Sequence, residues 1–323
     1  MKKSSKKSQI WLVMTGFSCN NNCVMCSTRP KAKNFPDRET EEIVADLVRG
    51  RSLGHQELDI TGGEPTIRPD IFYLVNSAKG LGYKKIGINT NARMLSYKDF
   101  CQRLINGGVN RVTLTLNGHT SQLVNAISRT PNVFKQTVEG MKNISKYSKV
   151  ELAVNTVVSR KNYKYLKEIG KFIAKFRAGS WHLLDLIPDG YGKDFYKELV
   201  VRADDLSKEI SGLYKTIKDN FSSAMFFDFP LCLFSPEMLK DPKLIFITAQ
   251  GRTEITKQVG YNPERFKKSK KELSDIHKKR IKVCHSCRFS KECAGIWTDY
   301  LKLFGEKEIE DLAKKHDCLN KND

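Results

Sequence analysis

Short apolar runs alternate with helical patterns through the first 190 residues. The short runs are typical of buried parallel strands, and the longer segments repeat apolar residues every three to four positions, which is typical of amphipathic helices. The predicted strands are residues 10–17, 57–61, 85–90, 111–116, 150–158 and 181–187. The predicted helices between them are residues 38–49, 71–79, 97–105, 133–147 and 163–176.

This alternation predicts an α/β fold whose parallel strands are joined by crossover helices. Six β/α units fall short of the eight that close a complete barrel. We therefore expect an open, partial (β/α)6 TIM-like barrel.

The pattern changes after residue 190. Residues 203–220 predict one long polar-amphipathic helix, and the apolar run 224–234 is interrupted by Pro230. Five of the nine cysteines lie from Cys232 onward, which indicates a small metal-stapled appendage at the C-terminal end. The predicted division is a basic disordered tail at 1–8, the barrel at 9–195, a linker helix at 196–228 and the appendage at 229–323.

Composition narrows the protein class. Hydrophobic residues make up 40% of the 323 positions, which excludes wholesale disorder. No apolar run approaches the roughly 18 residues of a membrane span, and the start MKKSSKKS has no apolar stretch of a secretory signal. A cytoplasmic protein is therefore expected.

The net charge of +20 is concentrated in two segments. Residues 1–8 hold four lysines, and residues 265–282 hold nine Lys and Arg against two acidic residues, a net of 9 − 2 = +7. These segments are either solvated surface or a binding region for an anionic partner.

Three cysteines follow the first predicted strand with the spacing C-x₃-C-x₂-C: Cys19, Cys23 and Cys26. The reducing environment of a cytoplasmic chain argues against a disulfide framework. Three thiolates on one short loop can bind three irons of a [4Fe–4S] cluster and leave the fourth iron open to a ligand. The alternative is a zinc knuckle completed by a remote ligand.

A second motif, Thr61-Gly62-Gly63-Glu64-Pro65, ends the second predicted strand. Together with the cysteine triplet it resembles the radical S-adenosylmethionine (SAM) superfamily, and the resemblance covers about residues 9–190. It implies that the methionine amine and carboxylate of SAM chelate the open iron, and that Glu64 accepts the amine. It also implies that one electron, from an external donor such as flavodoxin or ferredoxin, cleaves SAM to a 5′-deoxyadenosyl radical that abstracts a substrate hydrogen.

Further SAM contacts are implied by the same resemblance. Glycine lets a backbone approach a ligand closely, and the ends of parallel strands are where such folds bind ligands. The implied SAM-binding residues are Gly62, Gly63, Glu64, Pro65, Asn91, Thr115 and Asn155.

A second cysteine set has the spacing C-x₂-C-x₅-C and resembles the auxiliary-cluster domains called SPASM or twitch. The resemblance implies one auxiliary [4Fe–4S] cluster, and a zinc site is the alternative. Its predicted ligands are Cys232, Cys284, Cys287 and Cys293. Cys318 is the reserve candidate for the fourth ligand, and Cys101 is interpreted as a small buried hydrophobe.

The sequence therefore favours a radical SAM enzyme acting on a peptide or a small metabolite, with an anionic substrate as one option. One alternative is a radical SAM enzyme that modifies tRNA or a nucleotide. The other is a non-catalytic, cysteine-rich nucleic-acid-binding protein with zinc in both sites. Nucleic acid is less favoured, because residues 265–282 contain a single aromatic, Phe266, for base stacking.

Overall fold

The computed structural model describes residues 10–247 and 278–319. These residues contain one eight-stranded sheet whose strands are all parallel and follow one another in chain order. The strands β1 to β8 are Trp11–Met14, Glu57–Thr61, Lys85–Thr90, Arg111–Thr115, Glu151–Val157, Ser180–Leu184, Ser223–Phe227 and Leu244–Ile247.

Helices connect the strands. In chain order α1 to α10 are Thr40–Ser52, Ile71–Gly80, Lys98–Gly107, Ser121–Ser128, Val133–Ile144, Leu166–Ala174, Tyr191–Asp194, Tyr196–Leu199, Ala203–Asn220 and Pro236–Lys240. Short 3-10 turns occupy Arg29–Lys33, Pro65–Ile67, Met94–Ser96, Tyr163–Tyr165 and Leu231–Leu233. None of the described helices combines the length and apolar character needed to cross a membrane.

The expected α/β partial barrel is confirmed, and the sheet is longer than six strands. β7 and β8 extend it, and α9 is the crossover between β6 and β7, inside the region predicted as a linker. The sequence pattern missed β8 because this short strand follows the break at Pro230 and lies in the stretch interpreted as the appendage.

The strands bury one face fully against the helices, because fully buried residues alternate with half-buried ones along β1, β2 and β6. Trp181 on β6 is fully buried and packs against Gly170 of α6. A Cβ at Gly170 would lie 2.7 Å from the indole ring, so glycine is required for this close helix–sheet contact.

Charged side chains occupy the barrel interior near the start of the strands. Arg111 on β4 forms ion pairs of 2.8 Å with both Glu57 and Asp59 on β2. Between them, a Cβ at Gly87 of β3 would lie 1.8 Å from Asp59 Oδ1. This network fills the N-terminal end of the barrel, so the space for a ligand lies at the C-terminal ends of the strands.

The C-terminal appendage packs on the barrel. Its antiparallel strands β9 and β10 are Lys278–Lys279 and Ile296–Trp297, and its helices α11 to α13 are Lys282–His285, Thr298–Phe304 and Lys307–Lys315. The buried carboxylate of Glu308 on α13 pairs with Arg202 at 2.6 Å and accepts a hydrogen bond from the Tyr300 hydroxyl. The Tyr300 oxygen in turn accepts from the backbone N–H of Ala203 at 2.8 Å. The appendage is therefore joined to α9 by buried polar contacts.

Candidate active site

The loop after β1 carries Cys19, Cys23 and Cys26 and is fixed by distant backbone. The N–H of Val24 donates to the carbonyl of Ile127 in α4 at 2.9 Å. The N–H of Tyr191, after β6, donates to the carbonyl of Cys26 at 3.0 Å. The loop is thus held between the end of α4 and the segment that follows β6.

The three thiols lie in a common electrostatic environment. Burial, with an added contribution from the neighbouring cysteines, raises the pKa of Cys19 to about 11 and the pKa of Cys23 to about 12. Backbone N–H groups already point at two of the sulfurs, from Asn21 to Cys19 Sγ at 3.4 Å and from Arg29 to Cys26 Sγ at 3.1 Å. Thiolates at these positions need a bound cation to offset their charge.

The donor set fits an iron–sulfur cluster with one open iron. Soft thiolates are the ligands that such clusters prefer. Within residues 10–247 and 278–319, no three His, Cys, Asp or Glu side chains converge tightly enough to hold a single metal ion. A [4Fe–4S] cube takes one thiolate at each separate iron corner, a wider arrangement than the tetrahedral ligands of one ion.

The glycine motif after β2 lies directly against the start of the cysteine loop. The N–H of Gly63 donates to the Gly16 carbonyl at 2.8 Å, and the N–H of Glu64 donates to the Ser18 carbonyl at 2.8 Å. A Cβ at Gly63 would lie 2.0 Å from the Ser18 oxygen, and Gly62 has a φ of +138°. Only glycine permits both the approach and the backbone conformation.

Replacing Gly63 with alanine is expected to lower the free energy of unfolding by about 2 kcal/mol and to reduce iron retention. The added methyl group meets a backbone carbonyl one residue before Cys19, and backbone cannot move aside as a flexible side chain does. Urea denaturation under anaerobic conditions and iron analysis measure the two effects.

Gly212→Ala is the matched control for that substitution. Gly212 is an exposed position within α9, and a Cβ added there would have no atom within 4 Å. This variant is expected to gain about 0.7 kcal/mol from helix propensity and to keep its iron. Wild-type stability and iron content in Gly63→Ala would contradict the close contact.

Glu64 is 2% exposed, and protein donors surround its carboxylate. Oε1 accepts from Thr66 N at 3.1 Å, from Thr66 Oγ1 at 2.5 Å and from Thr90 Oγ1 at 2.6 Å. Oε2 accepts from the Asn91 N–H at 2.6 Å. Burial raises the pKa of Glu64, and these hydrogen bonds oppose that rise. Because Oε1 is saturated, a ligand ammonium could reach Glu64 only at Oε2.

The other predicted SAM contacts lie along the same edge of the sheet. Asn91 Nδ2 donates to Asn20 Oδ1 at 2.6 Å and approaches Cys19 Sγ at 3.8 Å, which links the end of β3 to the cysteine loop. Thr115 and Asn155 are register partners on β4 and β5. Pro65 is buried and begins the 3-10 turn after Glu64. The structure thus brings this predicted set to the C-terminal ends of β2 to β5.

His182 on β6 joins this edge, and the sequence patterns did not single it out. It is the register partner of Asn155, whose Oδ1 lies 2.9 Å from His182 Nδ1. With Oδ1 as the acceptor, Nδ1 carries the proton and Nε2 keeps a lone pair. Burial lowers the pKa of His182 to about 4, so the ring is neutral at pH 7. The available signal was a polar residue, one of two, within the largely apolar run 181–187.

The second cysteine set comes together in the appendage. One pocket is lined by all four predicted ligands, Cys232, Cys284, Cys287 and Cys293. Burial, followed by the charges of the other cysteines, raises the pKa of Cys232 well above its ordinary value. Four thiols around one pocket match the ligand number of a [4Fe–4S] cluster, whereas the zinc alternative would need them closer together than they lie among the described residues.

The remaining cysteines are fully buried. Cys318 follows α13 and is 0% exposed; its carbonyl accepts from Arg288 N at 2.9 Å, and it does not line the pocket of the second set. It nevertheless lies near that set, because burial and then the charge of Cys287 raise the pKa of Cys318 to about 12. Cys101 is 1% exposed within α3, among the apolar residues of the core.

Asp185 joins the barrel mouth to the appendage. It follows β6, and its Oδ2 accepts from Trp297 Nε1 of β10 at 2.8 Å while Oδ1 accepts from Leu186 N at 2.9 Å. Burial raises the pKa of Asp185 to about 7, although the charge of Lys278 opposes the rise. No sequence pattern indicates this pair, because its members are far apart in the chain.

Most of the two basic segments lies outside the residues that the structure describes. Residues 1–8 and 265–277 lie outside the described residues. The described end of the second segment, residues 278–282, contains β9 and the start of α11.

Comparison with known proteins identifies the superfamily. Residues 13–173 match the model of the Radical SAM superfamily. Together with the confirmed fold, this match shows that the chain belongs to the radical SAM superfamily of enzymes.

Individual relatives match with lower coverage. The chain is 27% identical over 198 residues to the AdoMet-dependent heme synthase of Oleidesulfovibrio alaskensis, covering 61% of this chain and 50% of that protein. It is 28% identical over 179 residues to a probable GTP 3′,8-cyclase of Sulfolobus acidocaldarius, covering 55% and 56%. The chain thus spans about half the length of the curated relatives it matches.

A solved structure shares the fold over nearly the whole chain. The structure of native anSMEcpe with bound AdoMet and Kp18Cys peptide aligns with a TM-score of 0.61 at 15% identity. The alignment covers 95% of this chain and 97% of that one.

Proposed function

We propose that this protein binds a [4Fe–4S] cluster through Cys19, Cys23 and Cys26, binds SAM at the open iron, and abstracts hydrogen from a substrate. The observation that carries the proposal is the attachment of the Gly62-Gly63-Glu64 backbone to the cysteine loop at 2.8 Å. This attachment supports the proposal because it brings the glycine motif against the start of the cysteine loop. When bound, the cluster and SAM supply the one-electron cleavage that gives methionine and a 5′-deoxyadenosyl radical.

The protein's own groups bind and orient the cofactor. Glu64 offers Oε2 to the methionine amine, and Asn91 orients the loop at Cys19 through Asn20. Thr115 and Asn155 extend the SAM site along β4 and β5. The Arg111 network closes the opposite end of the barrel, so substrate enters at the C-terminal mouth.

We also propose one auxiliary [4Fe–4S] cluster in the appendage. The convergence of its four thiols on one pocket supports this assignment. Four cysteine ligands saturate the cluster, so its role is structural or electron-transferring instead of SAM binding.

The proposed substrate is a peptide or a small molecule. The relatives are named for a heme synthase and a GTP cyclase, and the structural neighbour holds a peptide. The proposed source of the reducing electron is an external one-electron donor of the flavodoxin or ferredoxin kind. The proposed location of the protein is the cytoplasm.

The test is SAM cleavage by anaerobically reconstituted, dithionite-reduced protein. We expect 5′-deoxyadenosine and methionine in equal amounts, and an electron paramagnetic resonance (EPR) signal that changes when SAM is added. Deuterated peptides and metabolites then identify the substrate, because the correct one transfers deuterium into 5′-deoxyadenosine. A protein that holds zinc in both sites and leaves SAM intact would instead support the nucleic-acid-binding alternative.

A further inference from the structure

Three arginines from separate parts of the chain converge on the cysteine loop. Each donates a hydrogen bond to a backbone carbonyl between residues 19 and 22, and no two share a carbonyl. These residues, called here the arginine collar, are Arg29, Arg93 and Arg129.

The first two collar residues are half-buried. Arg29 Nη1 donates to the Cys19 carbonyl at 2.7 Å. Arg93 Nη1 donates to the Asn20 carbonyl and to Asn21 Oδ1, the latter at 3.0 Å. Both guanidinium groups therefore lie against the loop at the first cysteine.

The third collar residue is exposed and anchored by aromatic rings. Arg129 Nε donates to the Asn22 carbonyl at 2.7 Å. Its guanidinium lies 4.6 Å from the ring centroid of Tyr191 and 5.5 Å from that of Phe195. Cation–π contact of this kind restrains the Arg129 side chain. The backbone of Arg129 has a φ of +50°.

The collar adds three permanent positive charges around the predicted cluster ligands. Arg29 and Arg129 lie against the loop beside two of these cysteines, since Arg29 is bonded to the carbonyl of Cys19 and Arg129 to that of Asn22, the residue before Cys23. Because a cluster with three thiolates is anionic and becomes more so on reduction, nearby cations stabilise the reduced form more than the oxidised form.

We propose that Arg29, Arg93 and Arg129 are positioning residues that fix the cysteine loop and favour one-electron reduction of the cluster it holds. The electron comes from the one-electron donor, which is oxidised as the cluster is reduced, and no bond to the arginines forms or breaks. This inference rests on the proposed function of the cysteine loop.

The test is an EPR-monitored redox titration of the full-length reconstituted protein, following the signal that SAM perturbs. Arg129→Gln and Arg29→Gln are each expected to lower the equilibrium constant for reduction about tenfold, which is about 59 mV for a one-electron couple. Arg129→Lys, which keeps the charge, should restore most of the wild-type potential.

Arg177→Gln is the matched control. Arg177 is also exposed, has a φ of +58° and donates to a backbone carbonyl, that of Ser145 at 2.9 Å. It precedes β6, at the end of the barrel opposite the cysteine loop. This variant is expected to leave the potential unchanged.

Unchanged potentials in iron-loaded Arg29→Gln and Arg129→Gln would overturn the inference. If Arg129→Gln holds no iron, the Arg129→Lys variant decides the question. A wild-type potential in Arg129→Lys supports the role of charge. Failure of Arg129→Lys to bind iron overturns that role, because the positive charge is then present without effect. A wild-type protein lacking any SAM-sensitive signal would contradict the proposed function instead.

Discussion

Cys23→Ala is expected to abolish reductive SAM cleavage. Cys23 is the middle cysteine of the triplet and a proposed cluster ligand, and it is held where the Val24 backbone bonds to α4. Removing a residue that only supports the ligands of a metal site costs about 10–100-fold in metal affinity or activity. Removing a proposed ligand itself should therefore lower 5′-deoxyadenosine formation at least about a hundredfold. Liquid chromatography of the anaerobic reaction measures the product.

Cys101→Ala is the control for thiol removal. Cys101 is buried in α3 and contacts core residues, so the variant is expected to keep its iron and to cleave SAM, with a loss of about 1 kcal/mol in stability. Cleavage by Cys23→Ala at the wild-type rate would exclude the triplet as the catalytic ligand set.

Removal of the whole triplet is expected to leave half of the iron. Two [4Fe–4S] clusters correspond to about eight irons per chain. The triple variant Cys19→Ala, Cys23→Ala, Cys26→Ala should retain about four, because the appendage has its own four thiols around a separate pocket. Iron and sulfide analysis with Mössbauer spectroscopy counts and classifies what remains.

Two further substitutions, each added to the triple variant, test the auxiliary ligand set. Cys232→Ala should remove the remaining iron, since Cys232 lines the pocket, whereas Cys318→Ala should retain it. Iron loss in Cys318→Ala with retention in Cys232→Ala would exchange their roles. Zinc in place of iron in the triple variant would make the appendage a zinc site.

Local patterns were sufficient to predict the barrel and both cysteine sets. The strands β1 to β6 are apolar runs of four to seven residues with helices between them. The alternation of short runs and helical patterns is therefore visible without tertiary information. The spacings C-x₃-C-x₂-C and C-x₂-C-x₅-C are equally local, because each lies within one short segment, whereas Cys232 is distant from Cys284 in the chain. The two predictions made from these patterns were confirmed, the radical SAM superfamily by the family match and the α/β partial barrel by the structure.

Long-range contacts account for what the sequence could not predict. Asp185 is a single acidic residue after an apolar strand, and nothing local indicates that Trp297 will bond to it. The arginine collar is hidden for the same reason, since arginine is ordinarily a solvated surface residue and its targets are backbone carbonyls. Such carbonyls have no signature in the side-chain sequence.

The bonds that hold the cysteine loop also set an order for building the site. Although the loop lies near the N-terminus, its partners extend along the chain to Ile127, Arg129 and finally Tyr191. At typical rates of protein synthesis, the ribosome needs about 10 to 40 s to reach that last partner. The thiols therefore reach their final arrangement only after most of the barrel has been made, and insertion of the proposed cluster would follow barrel assembly instead of accompanying the first strand.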